Sequence, residues 1–161
     1  MCRLAASGIW LCPGCFGIRL FLTPKDHQTA AYIGYGPGGS YIDFHHSQKY
    51  GLHVQCAADY EPFLKPQENS SHWGTEQLRL GSMKILAGEK PFSFNLSEFT
   101  QEQLTNTTHR HLLKAETDFV TLCLDGYMSG LGSNSCGPEL APAYQVCNEN
   151  LDMDFIIVFL S

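Results

Sequence analysis

The sequence predicts an all-β domain, built as a sandwich of antiparallel strands. The first observation is a series of short runs of strand character with turn residues between them, at residues 17–23, 28–35, 52–58, 76–88, 92–96, 110–116, 119–126, 143–147 and 154–160. Strands at such spacing are typical of sandwiches. The second observation is alternation within a run. IRLFL places Ile18, Leu20 and Leu22 on one face of a strand, as a half-buried strand requires.

One short helix is expected near residues 100–105. The stretch LSEFTQEQLTNTT offers Thr100 as N-cap, with Gln103 three residues later in the spacing of a capping box. The polar run after Leu104 ends this helix early. The sequence contains no internal repeat and no linker long enough to divide it into two parts.

Composition and charge limit the function classes. With 161 residues and 43% hydrophobic residues, the chain is long enough for one domain with a core, or for a piece of a larger domain. The formal charge of −6, with scattered Lys and Arg, disfavours nucleic acid and anionic membranes as partners. The apolar run at 155–160 is far shorter than the ~20 residues that span a bilayer as a helix.

The N-terminus and the cysteines indicate a cytoplasmic location. The apolar stretch after Arg3 is broken by Gly8 and by Pro13–Gly14, and no convincing signal-peptide cleavage site follows. Seven cysteines are an odd number without framework spacing. This usage indicates reduced thiols, several of them buried in strands such as VTLCLDG.

A glycine-rich stretch, YIGYGPGGSYIDF, has the G-x-G-x-x-G spacing of dinucleotide-binding loops at Gly34, Gly36 and Gly39. Asp59 lies about where a ribose-binding acid is expected. The pattern lacks the required helix, because a second strand-like run, LHVQCAA, follows without a helical stripe of apolar residues. We therefore expect a glycine-rich turn between two strands.

Two further patterns concern metal binding. Cys12-Pro-Gly-Cys15 has the spacing of zinc knuckles and redox pairs. His109 and His111 share one face if they lie in a strand, and in principle they could complete a zinc site. Because no second C-x-x-C or H-x-x-x-H pair is present, we expect no metal site.

Cys136 lies in a loop rich in Gly, Ser and Asn, GLGSNSCGPEL. If His111 activated it as a thiolate nucleophile, the chain would be a cysteine hydrolase. The sequence fixes no distance between the two groups. A thiol that lines a pocket without reacting is the simpler interpretation.

The acidic residues offer no evident catalytic pair. Glycoside hydrolysis needs two carboxyl groups about 5 to 9.5 Å apart, one of them with a raised pKa. The 16 acidic residues include the pairs Asp152/Asp154 and Glu116/Asp118, and neither stands out. We expect most of these carboxylates to be solvated charges in turns or at strand edges.

Four stretches of the sequence carry a family resemblance. The most specific covers 108–146, where T-H-R-H-L-L-x-A-E, L-D-G and G-x-G-S-N-S-C-G-P occur in order. FSFNLSEFTQEQL, KPQENSSHWGTEQLRL and GYGPGGSYIDFHH match as well. Together they resemble the C-terminal domain of β-galactosidases of glycoside hydrolase family 2, which also occurs as the separate small chain of two-chain forms. The resemblance extends from about Phe16 to the last residue.

The resemblance implies a fold and domain limits. The implied fold is part of a galactose-mutarotase-like antiparallel supersandwich, in agreement with the all-β pattern. We expect a partial copy, with an atypical N-terminal segment at residues 1–15 and the β-galactosidase C-terminal sandwich at 16–161. At the glycine-rich stretch the family carries G-x-G-P-x-E-x-Y-x-D, so that Asp43 matches the final Asp and Gly39 replaces the usual Glu.

The resemblance also implies a role in a sugar pocket. The family's acid/base and nucleophile glutamates lie in a separate barrel domain, so we expect no catalytic residue here and no activity of this chain alone. One loop residue of the small chain, Trp in some members and Cys in others, lines the pocket, and the match of S-N-S-C-G-P assigns this role to Cys136. Its polarizable side chain can pack on the apolar C–H face of galactose or of the aglycone. Asn134 and Ser135 are expected to shape the loop, and His109 and His111 to be structural.

The implied function is a β-galactosidase small chain or C-terminal domain that completes a pocket for terminal β-D-galactosides such as lactose. The expected partners are a catalytic β-galactosidase chain or domain and the galactoside. No cofactor is expected in this chain, since the family's magnesium and sodium sites belong to other domains. Two alternatives stay open: a non-catalytic β-sandwich that binds carbohydrate or holds subunits together, and the cysteine hydrolase.

Overall fold

The computed structural model describes residues 5–12, 15–65, 70–115, 117–132, 139–146 and 151–160, with side chains from residue 15 onward. Within these ranges lie the strands β1 (Ala5–Cys12), β2 (Cys15–Leu22), β3 (Thr29–Gly36), β4 (Lys49–Cys56), β5 (His72–Thr75), β6 (Gln77–Leu80), β7 (Met83–Ala87), β8 (Phe92–Ser97), β9 (Val120–Met128) and β10 (Phe155–Phe159). Sheet A has the strand order β1-β2-β9-β8-β5, and sheet B has the order β10-β7-β6-β3-β4. The strands pair antiparallel in both sheets, so the predicted all-β sandwich is confirmed.

The two sheets pack around one apolar core. Leu20 and Leu22 of β2 are buried in it, and Ile18 packs against it, which confirms the alternation predicted for this strand. The largest fully buried core side chains come from both sheets and are Leu20, Leu22, Tyr32, Leu78, Leu80, Met83, Ile85, Phe94, Leu96, Leu122 and Leu124. Burial of each such aliphatic or Phe side chain stabilises the fold by about 1.5–3 kcal/mol.

The predicted helix is confirmed as α2 (Gln101–Asn106), which follows a four-residue helix, α1 (Pro24–His27), that the sequence pattern does not reveal. At the start of α2, Gln103 N donates to Thr100 Oγ1 at 3.2 Å, and Thr100 N donates to Gln103 Oε1 at 2.7 Å. This reciprocal pair is a complete capping box. Leu104 is the buried residue of the helix.

Three predicted strand runs differ from the structure. The run at 110–116 begins with a 3-10 helix, Arg110–Leu112, and the start of the run at 143–147 overlaps another, Pro142–Tyr144. Both runs lack the alternation of apolar and polar residues that orients a strand on a core. The run at 76–88 is a hairpin of β6 and β7, because Gly81 adopts φ +55° at the turn.

The cysteine prediction is correct for two residues and wrong for a third. Cys56 and Cys123 are free, whereas Cys15 is disulfide-bonded. The hairpin of β1 and β2 places positions 12 and 15 opposite each other, a proximity that the spacing alone does not fix. In the described part of the chain, we find no helix with the length and apolarity needed to cross a membrane.

Candidate functional site

The candidate site is the loop that follows β9, because it carries the three residues predicted to contribute to the sugar pocket. Asn134, Ser135 and Cys136 lie outside the described residues, so their roles stay predictions. The described segments on either side, 129–132 and 139–146, form what we call the β9 stem. Its geometry determines where the loop leaves the sandwich and where it returns.

Hydrogen bonds join the two arms of the β9 stem. Gly130 N donates to Tyr144 O at 3.1 Å. Val146 N donates to Ser129 Oγ, also at 3.1 Å. The arm that leaves β9 and the arm that returns are therefore held side by side.

Asp43 fixes the outgoing arm of the stem. Its Oδ1 accepts a hydrogen bond from Leu131 N at 2.8 Å, and its Oδ2 accepts one from Gly132 N at 3.1 Å. Hydrogen bonds to a carboxylate are charge-assisted and stronger than those between neutral groups. The contact requires glycine at position 130, since a Cβ there would lie 2.4 Å from Asp43 Cγ. A Cβ on Gly132 would lie 2.8 Å from Leu140 Cα, which shows how closely the returning arm approaches.

A tight turn connects Asp43 to the segment that enters β5. Tyr41 and Phe44 exchange two backbone hydrogen bonds, at 2.9 and 3.0 Å. The buried Tyr41 hydroxyl accepts a hydrogen bond from Ser71 N at 3.2 Å, and Ser40 N donates to Ser71 O at 2.7 Å. The Asp43 carboxylate thus holds the β9 stem against a turn that is itself fixed to the sandwich.

Aromatic side chains cluster beside this turn. Tyr35 stacks on Trp73 with ring centroids 5.5 Å apart, and the His45 ring lies 4.7 Å from Trp73. His45 Nδ1 lies 3.0 Å from Tyr41 O. Sequence reasoning identified neither this cluster nor the role of Asp43. The available signal was the place of Asp43 in the family motif.

The glycine-rich stretch is a turn between strands, as predicted. β3 ends at Gly36, and the next strand is β4, antiparallel to β3. A Cβ on Gly34 would lie 2.9 Å from Thr75 Oγ1, so this glycine allows close packing within the sandwich. Asp59 Oδ2 accepts a hydrogen bond from Cys56 N at 2.9 Å. This aspartate therefore caps the 3-10 helix Ala57–Asp59.

Asp152 and Asp154 are not arranged as a catalytic pair. Asp152 Oδ1 accepts a hydrogen bond from the Tyr127 hydroxyl, and Asp154 Oδ2 accepts one from Glu89 N, both at 3.0 Å. The cavity that they line is about 20 Å³, which suits a water molecule and is too small for a sugar ring. Of the other candidate pair, Glu116 lies outside the described residues.

His109 and His111 do not lie on one face of a strand. They flank Arg110 at the 3-10 helix, exposed, with ring centroids 5.5 Å apart. Among the residues that the structure describes, no cluster of three His, Cys, Asp or Glu side chains is placed to hold a metal ion. The side chain of Cys12 lies outside these residues.

A buried polar layer covers the outer face of sheet A. Arg19 Nη1 donates to both carboxylate oxygens of Glu102, at 2.8 and 2.9 Å, and Arg19 Nη2 donates to Gln101 Oε1. Burial alone would raise the pKa of Glu102, but hydrogen bonds and the Arg19 charge hold that pKa below its ordinary value. Burial raises the pKa of Asp125 to about 7, against the opposing effect of Arg19. Burial, followed by the Asp125 charge, raises the pKa of Cys123 to about 12, so Cys123 is a protonated thiol at neutral pH.

Comparison with known proteins gives one family. The family model described as "Beta galactosidase small chain" matches residues 12–158. A β-galactosidase from Actinobacillus pleuropneumoniae is 42% identical over 145 residues, which cover 89% of this chain and 14% of the relative. The β-galactosidase of Staphylococcus xylosus is 36% identical over 151 residues, which cover 90% of this chain and 15% of the relative. The β-galactosidase of Oenococcus oeni is 43% identical over 122 residues, which cover 73% of this chain and 12% of the relative.

The chain thus spans about one-seventh of the length of the curated relatives it matches. The match includes strands β2 to β9, most of β10, the Asp43 turn and the β9 loop. With the family model matched over nearly the whole sequence, the chain belongs to the β-galactosidase small-chain family.

Proposed function

We propose that this chain completes the galactoside pocket of a β-galactosidase whose catalytic glutamates lie on another chain or domain. The observation that carries the proposal is the β9 stem, which Asp43 holds through two charge-assisted hydrogen bonds. A stem held in this way presents its loop to a partner at a low entropic cost. In the proposal, Cys136 packs on the C–H face of the sugar, and Asn134 and Ser135 shape the loop around it.

The partner in this proposal is a catalytic β-galactosidase chain or domain, and the substrate is a terminal β-D-galactoside such as lactose. The names of the relatives and the family match support this assignment. Residues 16–161 carry the function, in the cytoplasm, and the chain contributes no metal or other cofactor. Nucleic acid and membranes are not partners.

The direct test is complementation. A relative's β-galactosidase is expressed without the region that matches this chain, and hydrolysis of a chromogenic β-galactoside is measured with and without the added 161-residue chain. We expect no hydrolysis by the added chain alone, because no pair of carboxylates is assigned to catalysis within it, and restored hydrolysis in the mixture. Turnover by the chain alone that is lost when one of its own Asp or Glu residues is replaced would contradict the proposal.

Cys136 variants test whether the loop binds or reacts. In the complemented enzyme, Cys136→Ala should raise KM with a smaller effect on kcat, because packing contacts contribute to binding of the sugar. Cys136→Ser keeps the volume and should retain activity with altered affinity. A fall in kcat by orders of magnitude in both variants, with folding and association unchanged, would instead support the cysteine hydrolase.

Asp43→Asn tests the stem. The amide keeps the shape of the carboxylate but presents one NH₂ group to a backbone N–H, so the outgoing arm loses a hydrogen bond. We expect KM of the complemented enzyme to rise about tenfold, with a smaller change in kcat. Asp152→Asn is the matched control, because Asp152 accepts its hydrogen bond from Tyr127 outside the stem. Equal KM values for the two variants would exclude a positioning role for Asp43.

A non-catalytic assembly role is the second candidate, and one observation favours it. Tyr50, Leu52 and Val54 of β4 are exposed together on the outer face of sheet B, and exposed apolar patches mark interaction surfaces. The same complementation experiment distinguishes the two roles. Association detected by size-exclusion chromatography, without recovery of hydrolysis, would favour assembly over pocket completion.

A further inference from the structure

The outer face of sheet B is apolar along both edges and basic in the middle. The register of its five strands places one row of residues straight across this face, in the order Val54, Ala31, Arg79, Lys84 and Val158. The two valines at the ends of the row are exposed. The row therefore sets two neighbouring cations between apolar side chains.

The next row of the same face contains neither a cation nor a carboxylate. Its residues, in order across the sheet, are Leu52, Ile33, Gln77, Leu86 and Ile156. Leu52 and Ile156 at its ends are exposed. Together the two rows form a mostly apolar surface across all five strands, and the charges on it are those of Arg79 and Lys84.

Arg79 and Lys84 form a like-charged pair. They lie directly opposite each other on β6 and β7, an arrangement that is destabilising in a sheet. Arg79 is exposed and Lys84 is half-buried, so both are within reach of a partner. The Nε of Arg79 donates to Gly81 O, which satisfies one of its five N–H donors.

The counter-charge for this pair is not found in the described part of the chain. The ion pairs there lie elsewhere, and neither Arg79 nor Lys84 belongs to one. Burial, followed by a hydrogen bond with Glu76, raises the pKa of Tyr50, so the Glu76 carboxylate is engaged beside Tyr50. Two adjacent cations without a carboxylate indicate that the counter-charge comes from a partner.

The charges also limit what kind of partner fits. A two-fold dimer through this face would bring the cations of one copy against the same basic and apolar rows of the other. An anionic membrane is poorly matched, because the chain carries a net charge of −6 and lipid-binding clusters use about four to eight cations. A polypeptide that presents a carboxylate among apolar side chains matches both properties of the face.

We propose that the outer face of sheet B binds the catalytic β-galactosidase chain or domain through a segment that presents a carboxylate, flanked by apolar side chains, to Arg79 and Lys84. The inference rests on the proposed function for the identity of the partner and adds the chemistry of the contact. This chain spans about one-seventh of the length of its relatives, so the rest of such an enzyme is available to cover the face. The apolar residues supply buried area, and the two cations reject a surface without a carboxylate, since they would be desolvated unpaired.

The test compares two Lys→Glu variants in their association with the truncated relative of the complementation experiment. Lys84→Glu changes the outer face of sheet B. Lys114→Glu is the matched control, because Lys114 is an exposed lysine outside the strands and its replacement changes the net charge equally. Isothermal titration calorimetry at low and at high NaCl concentration gives the dissociation constants. If the truncated relative does not fold alone, co-expression with each variant and the amount of complex recovered give the same comparison.

The two variants should differ clearly. We expect Lys84→Glu to raise the dissociation constant at least about tenfold, because the new carboxylate faces the carboxylate of the partner. Lys114→Glu should change it by less than about twofold. The dissociation constant of the wild type should rise with salt, and the rise should be smaller for Lys84→Glu.

The stability of the free chain should move in the opposite direction. Lys84→Glu replaces a like-charged cross-strand pair with an oppositely charged one, so the urea midpoint of the free chain should stay the same or rise. A variant that is at least as stable as the wild type and yet associates more weakly has not lost its fold. A lowered midpoint would show that Lys84 has its counter-charge within the chain, and would overturn the inference.

Three results of the association experiment would also overturn the inference. Equal dissociation constants for the two variants would mean that the partner does not contact the cations, and restored hydrolysis in that case would leave the proposed function intact. No association of the wild-type chain would remove the partner itself. Binding to phosphatidylserine vesicles that Lys84→Glu abolishes would show that the face recognises an anionic membrane instead. Charge-dependent association without hydrolysis would support the inference and contradict only the proposed function.

Discussion

The outer faces of the two sheets reverse the usual distribution of polar and apolar residues. On sheet A, the outward-facing Arg19 and Asp125 are only 4% and 5% exposed. On sheet B, the outward-facing Leu52 and Val54 are 72% and 65% exposed. Strand alternation determines which residues share a face, and it does not determine what covers that face. The comparison shows that burial on the outer side of this sandwich is decided by what packs on each sheet.

Helix α2 contributes to the cover of sheet A. Gln101 and Glu102 at its start both bond to Arg19, and Gln101 Nε2 lies 3.6 Å from Cys123 Sγ. The same capping box that starts the helix therefore positions two groups that bond to the two terminal nitrogens of a buried guanidinium. The polar layer of sheet A is stabilised by segments of the same chain.

The apolar face of sheet B has no such cover within the described residues. The exposed apolar side chains of this face lie on the two edge strands, β4 and β10, and are Tyr50, Leu52, Val54, Ile156 and Val158. Edge strands also carry unpaired backbone groups that favour pairing with another chain. We propose that a partner chain covers this face, whether it is the catalytic chain of the first proposed role or the assembly partner of the second.

The largest expected effect concerns Asp125 and pH. Its folded-state pKa, about 7, lies above its ordinary value of 3.8, so the folded state keeps a proton that the unfolded state has lost. The stabilisation is complete below about pH 4 and is lost as the pH rises through 7. Asp125→Asn removes this loss. We expect the free energy of unfolding of the variant, minus that of the wild type, to grow by up to about 4 kcal/mol between pH 4 and 8.

Denaturant unfolding of both proteins at each pH measures this difference. The titrating groups Glu102, Cys123 and the buried His72 are present in both proteins, so their direct contributions largely cancel. A difference that does not change with pH would show that Asp125 is solvated, and that the outer face of sheet A is more open than its burial indicates.

The next effect compares one substitution on the two faces. Arg19→Met removes the cation that pairs with Glu102 and that stabilises the charged form of the buried Asp125. This change should lower the free energy of unfolding by about 2–4 kcal/mol. Arg79→Met replaces an exposed arginine of β6 on sheet B, whose Nε donates to Gly81 O. This substitution should change the free energy of unfolding by less than about 0.5 kcal/mol. Equal effects in urea unfolding would remove the distinction between the faces.

The smallest effect on stability concerns Leu52. Because the side chain is mostly exposed in this chain, Leu52→Thr should change the free energy of unfolding by less than about 0.5 kcal/mol. The same variant should weaken association with the catalytic part in the complementation assay, since the partner would bury that surface. Thr29→Ser, an exposed change at the start of β3, serves as a control that should leave association unchanged. Unaltered association of Leu52→Thr would place the partner elsewhere.

Much of the fold could be predicted where the signal was local. Thr100 and Gln103 identify α2, because a capping box satisfies backbone groups within a few residues. The strand at 17–23 was evident from its alternation. Strand β5 could not be predicted, because its four residues, His72–Thr75, are too few to show a pattern. Its pairing with β8 is also a long-range contact. The family motifs pointed to the β9 loop, but the contact between Asp43 and Leu131 joins residues that are 88 positions apart in the chain.

The sequence by itself determined the class of the fold, the residues that share each strand face, the helix at Thr100 and the family of the chain. These properties follow from periodicity, capping and motif order, which are local or linear in the chain. Only the tertiary structure decided that Asp43 holds the β9 stem and that Asp125 is buried while Leu52 is exposed. The reason is physical: desolvation and hydrogen bonding between distant segments depend on which surfaces pack together, and strand alternation is the same for a covered face and an open one.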